Sequence, residues 1–144
     1  MTEIEFTTFA VATEPAGAGA EIFEPIRRHL GARSLGVNRL ELQPRRRMRV
    51  HVHERQEEVY FVLSGTLTLI VEEVEHEVPV GTLARVGPST RRQVANRGDV
   101  PVVVLAFGAA GEHESRDALA WGSWDEDGPG RSPAEVPLPP DLDA

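Results

Sequence analysis

The chain has 144 residues, a mass of 15.8 kDa and 40% apolar residues, enough for one folded domain and too little for two. A formal charge of −8 and a pI near 5.1 argue against nucleic acid or anionic membrane as a partner of the whole surface, and no apolar run approaches the roughly 20 residues of a membrane helix. Cysteine and lysine are both absent and all 15 basic residues are arginine, which excludes disulfides, thiolate chemistry, sulfur ligands and Schiff bases together.

The opening MTEIEFTTFAVATEP is acidic and carries neither the basic lead nor the apolar stretch of a signal or organellar presequence, so a cytoplasmic protein is expected. Residues 1–34 read as an N-terminal segment covering the rest, with AGAGA at 16–20 as a loop and IFEPIRRHLGA as at most a short helix broken by Pro25. From Leu35 to Gly108 the pattern changes to eight short strand-like runs: LGVNRLEL, MRVHVH, EVYFVL, TLTLIVE, HEVPV, TLARV, RQVAN and VPVVVLAF. Pro44, Ser64–Gly65, Gly81, Gly87–Ser89 and Asn96–Asp99 punctuate them. Short strands without intervening helices predict an all-β, antiparallel sandwich or barrel over 35–108. Residues 109–144, rich in proline, glycine and acidic groups, read as a partly mobile, surface-draped tail, which Trp121 and Trp124 would pin by packing.

The run HVHERQEEVYFVLSG carries the chemistry. Alternate strand residues share a face, so the Cα atoms of His51 and His53 stand about 6.5 Å apart with both imidazoles able to reach one ion. A carboxylate, Glu58, follows; neutral imidazoles with an anionic oxygen suit a divalent metal. The same alternation sets Glu58, Tyr60 and Val62 on one face and Val59, Phe61 and Leu63 on the other. If Glu58 faces inward, the second face needs a cover, either the N-terminal segment or a second subunit, and a homodimer is expected.

These residues resemble the cupin superfamily, in particular its small single-domain members with the type-2 conserved barrel. Its first motif runs glycine, five residues, HxH, three or four residues, glutamate, six residues, glycine. His51, His53, Glu58 and Gly65 match it, and Arg45 stands at the leading glycine. Its second motif aligns with GTLARVGPSTRRQVAN: Gly81 and Asn96 match, while Gly87 replaces a proline, Ser89 a glycine and Arg92 the last histidine ligand. The resemblance implies a double-stranded β-helix, a jelly-roll barrel that is often dimeric, with the site inside it. It also implies His51, His53 and Glu58 as metal ligands, for iron, manganese, zinc, nickel or copper.

Arg92 cannot be a fourth ligand, because a guanidinium stays protonated and offers only donors. Two arrangements follow. Either Arg92 turns away and the three remaining ligands bind an ion with open positions, or Arg92 pairs with Glu58 and supplies the charge itself. Arg47 and Arg49 share parity with His51 and would rim the mouth; with Arg92 they make a small anionic or polar organic molecule the expected ligand. Tyr60 could donate to it or shuttle a proton. His76 could enter the barrel but is read as a core or rim residue, and His29 and His113 as surface residues. The functions in competition are a mononuclear metalloenzyme of oxygenase, isomerase or lyase type, with Tyr60 as its catalytic candidate, and a non-catalytic, metal-free ligand-binding or sensing barrel.

Overall fold

Alternating apolar residues on short runs leave each strand with one face to bury, and two sheets facing each other satisfy that requirement. The computed structural model describes residues 23–109 and 117–143. A short strand β1 (Phe23–Pro25) and a single helical turn α1 (Arg27–Leu30) lead into the eight strands expected from the sequence. These are β2 (Gly36–Leu42), β3 (Val50–His53), β4 (Glu57–Ser64), β5 (Thr66–Val71), β6 (Val74–Pro79), β7 (Leu83–Val86), β8 (Arg92–Ala95) and β9 (Val102–Ala109). A tenth strand, β10 (Ala118–Trp121), and a 3-10 turn at Pro133–Glu135 follow.

The strands form two five-stranded antiparallel sheets, ordered β1-β2-β9-β4-β7 and β10-β3-β8-β5-β6. Apart from the β1–β2 and β5–β6 pairs, successive strands cross between the sheets, as in the jelly roll. Leu40, Leu42, Tyr60, Val62 and Val104 from one sheet meet Leu67, Leu69, Val78 and Val94 from the other in one core. Among the described residues, no helix is long and apolar enough to cross a membrane. The segment after residue 108, expected as a tail outside the barrel, differs from that expectation. Ala118–Trp121 pairs with Val50–His53 and closes one edge of a sheet, and Val136 is fully buried.

The motif residues have local physical reasons. Gly65 has φ +74, and a Cβ there would meet the Pro101 carbonyl oxygen at 2.6 Å, so only glycine fits the bend from β4 to β5. Asn96 is fully buried and staples a turn: its Nδ2 donates to the carbonyls of Leu42 and Val100, and its Oδ1 accepts from Gly98 N–H. At the two family glycine positions that this chain has lost, the backbone has kept the left-handed conformation, with Arg45 at φ +67 and Ser89 at φ +57. The fold therefore retains the turns and bears the strain of side chains in them.

Candidate metal and ligand site

β3 turns His51 and His53 to one face and Val50 and Val52 to the other; the histidines are half-buried and the valines buried. β4, in the opposite sheet, turns Glu58, Tyr60 and Val62 inward. Directly across the ladder from His51 stands Arg92 on β8, so strand register alone sends its side chain to the same interior. The four groups converge on one atom, Glu58 Oε2. Tyr60 donates its phenolic hydrogen to it at 2.5 Å, and Arg92 Nη2 donates at 2.9 Å. His53 Nε2 lies 3.4 Å away and His51 Nε2 3.7 Å away. Arg92 is completely buried, with Nη1 donating to the Thr90 carbonyl and Nε lacking a partner among the described residues.

Burial by itself would raise the Glu58 carboxyl, but the imidazoles of His51 and His53 act against it and hold the group well below the ordinary carboxylate range. Tyr60 moves the other way, pushed well above its usual value by burial and then by the neighbouring carboxylate, against the opposing pull of Arg92. Tyr60 is thus a protonated donor and Glu58 an ionised acceptor near neutral pH.

Two observations bear on a metal ion. His51 Nδ1 lies 3.3 Å from the Arg49 carbonyl, which can only accept, so Nδ1 carries a proton and Nε2 is the nitrogen turned to Glu58. That nitrogen lies 3.7 Å from Glu58 Oε2, and the carbonyl contact is the kind that fixes a ligand histidine. His51, His53 and Glu58 each offer a ligand atom within 4.8 Å of the others, and this set could hold a divalent ion. Opposing it, any ion on Oε2 has the Arg92 guanidinium as its immediate neighbour; at an effective dielectric near 20 such a repulsion amounts to roughly several kcal/mol. The donor set fits an ion, at reduced affinity.

The cluster forms one end of a cavity of about 360 Å³ whose other walls are mainly apolar, including Leu40, Met48, Val94 and Pro133. Arg49 lines this cavity and its Nε donates to the Val136 carbonyl. Arg47 is not among the cavity residues; its Nε donates to the Pro140 carbonyl at 2.9 Å. His76 is exposed on β6, outside the cavity. The His29 side chain and His113 lie outside the described residues. Trp121 and Trp124 hold the C-terminal segment: Arg91 stacks over both rings at 4.2 and 5.6 Å, Trp121 donates to the Gly128 carbonyl and Trp124 to Gln93 Oε1.

Two participants went unread in the sequence. Asn38 lines the cavity, and its parity with Leu40 and Leu42 marks it as an inward polar residue on an apolar face. Asp117 is buried, and its Oδ2 accepts from the backbone N–H of Arg55 and Gln56, fixing the turn between the histidines and Glu58. Burial would raise its carboxyl, but those hydrogen bonds, Gln56 first, hold it below its usual value. No local pattern announces that contact.

A family model described as the cupin domain matches residues 38–108. No protein of curated function matches the sequence. Among solved structures, the chain is similar to a sugar phosphate isomerase from a cupin superfamily of Silicibacter pomeroyi, at 28% identity and TM-score 0.60 over 73% of this chain and 66% of that one. It is similar to a candidate sugar phosphate isomerase of Acidithiobacillus ferrooxidans, at 21% identity and TM-score 0.59 over 69% of this chain and 62% of that one. The chain thus spans slightly less than two thirds of both. A cupin protein of Bacteroides fragilis superposes with TM-score 0.65 at 22% identity over 76% of this chain and 91% of its own. The matched stretch contains the strands that carry both histidines, Glu58 and Arg92, and with that the chain is identified as a small cupin-domain protein.

Proposed function

We propose that the protein binds a small anionic organic molecule in the barrel cavity, beside a divalent ion held by His51, His53 and Glu58, and that it acts as a metalloenzyme of isomerase type on a phosphorylated sugar or a similar polyhydroxy anion. The observation carrying the metal is that ligand atoms of His51, His53 and Glu58 all lie within 4.8 Å of one another. The similarity to the Silicibacter pomeroyi protein supports the substrate class and the reaction. When bound, such an ion supplies Lewis acidity to an oxygen of the ligand. The chain's own residues do the rest. Arg49 receives the anionic group, Asn38 offers an amide for hydroxyls, and the apolar walls exclude water. Tyr60 is the one hydroxyl among the described cavity residues and holds its proton at the Glu58 carboxylate, from where it can be handed to the ligand. The half-buried Val59, Phe61 and Leu63 and the exposed Leu83, all on β4 and β7, support a homodimer through that outer face.

A second reading rests on Arg92. Its buried bond to Glu58 supplies a positive charge without any ion, and the barrel then binds the anion as a metal-free sensor or carrier. Elemental analysis after reconstitution separates the two. One equivalent of iron, manganese, zinc, nickel or copper in the wild type, lost in His51→Ala, supports the first; no metal in the wild type supports the second.

A further inference from the structure

The C-terminal segment borders the cavity through Pro133 and is fastened to the arginine run at 45–49. After β10, the chain folds back so that Arg131 exchanges two backbone hydrogen bonds with Ala120, at 2.8 and 3.0 Å. Pro133 then forms part of the cavity wall, and Val136 is fully buried. From there the segment runs antiparallel to the arginines. Arg49 Nε donates to the Val136 carbonyl, Arg47 Nε to the Pro140 carbonyl, and Arg46 pairs with Asp141 at 3.2 Å. Leu142 N–H donates to the Arg45 carbonyl at 2.8 Å. Every rung but Val136 is a polar contact near solvent, and a segment held that way opens more readily than the sheets beneath it.

Arg49 is the rung that also lines the cavity. Nε makes the one side-chain hydrogen bond of Arg49 among the described residues, so both Nη groups are left to grip a carboxylate or phosphoryl group in the bidentate manner of a guanidinium. The guanidinium plane thereby joins the segment to the ligand: the edge that holds Val136 and the edge that would hold the anion belong to one rigid group. We propose that residues 131–142 form a latched strap over the cavity, with Arg49 as the latch that an anionic ligand tightens. The strap detaches to admit the ligand and closes on it with Pro133 against its apolar part. The inference rests on the anion-binding reading above and adds its regulation.

Inorganic phosphate serves as the probe, with the full chain. Binding in the cavity is read from the imidazole NMR shifts of His51 and His53, and strap closure from hydrogen exchange at the amides of Arg131, Glu135, Val136 and Leu142. Phosphate is expected to shift both imidazoles and to slow exchange at these amides threefold or more. Arg49→Lys, which keeps the charge and loses the fork, is expected to abolish that slowing, while Arg46→Ala, outside the cavity, preserves it. Val136→Ala provides an independent arm should Arg49→Lys fold poorly, and is expected to weaken phosphate binding at least threefold; unchanged affinity there overturns the strap. Imidazole shifts without slower exchange overturn the strap and leave the anion site standing. Slowing that survives in Arg49→Lys overturns the latch. The absence of imidazole shifts overturns both the strap and the anion site.

Discussion

Behind the Glu58 carboxylate Arg92 is wholly buried and bonded to Glu58 and the Thr90 carbonyl, whereas Arg45 and Arg46 at the strap are about one-third exposed and pair with Asp99 and Asp141. The same side chain does opposite work in the two places. A buried guanidinium has surrendered its hydration, so its partner is obligatory, and losing that partner leaves a bare charge in the core. An exposed guanidinium exchanges one solvated contact for another, so each rung of the strap contributes little and the strap stays easy to open. Chemistry that needs fixed charge is built where the paired strands β3 and β8 face β4 of the opposite sheet, and movement is assigned to the polar rim.

The contrast can be broken most severely at Glu58. Glu58→Gln leaves Arg92 buried without a counter-charge and is expected to destabilise the fold by about 3–5 kcal/mol, read as a lowered midpoint in urea. The same carboxyl gives a pH signature. Because its folded-state value lies well below the ordinary 4.5, its contribution is fully present above that pH and is lost as pH falls through the depressed value. Urea midpoints measured downward from pH 5 should therefore fall more steeply in the wild type than in Glu58→Gln.

At the strap, Val136→Ala removes the one buried apolar anchor and is expected to cost about 1–2 kcal/mol. Ser89→Gly relieves a left-handed residue at a family glycine position and is expected to stabilise by about 0.5–1 kcal/mol, seen as a raised thermal midpoint. Arg46→Ala should change stability by no more than about 0.5 kcal/mol; a loss above about 2 kcal/mol would show that the rim is as obligatory as the interior and would erase the distinction.

Strand-forming runs and turn residues made all eight strands between 35 and 108 legible, and in β4 the alternation is a direct image of one buried face. The spacing of His51, His53, Glu58 and Gly65 located the site for the same reason. Three features lay outside that logic. The β5–β6 hairpin turns through Glu72 and Glu73 at φ +47 and +67, without the glycine or asparagine that usually marks such a turn, so the start of β6 was read two residues late. β10 is four residues within a glycine- and acid-rich stretch, and its strand character comes from the exposed edge of β3. The direction of Arg92 depends on its register opposite His51, a long-range pairing that no local pattern specifies. The contacts of Arg46 and Arg47 were not legible because their partners lie some 90 residues further along the chain.

The proposed ion site of His51, His53 and Glu58 is weakened by a permanent cation on the same carboxylate oxygen. Calorimetric titration of zinc into the wild type, His51→Ala and Arg92→Met tests it most directly. Relief of the repulsion predicts binding at least about tenfold tighter in Arg92→Met than in the wild type, and none in His51→Ala. Equal or weaker binding in Arg92→Met, or binding that survives His51→Ala, would contradict the account.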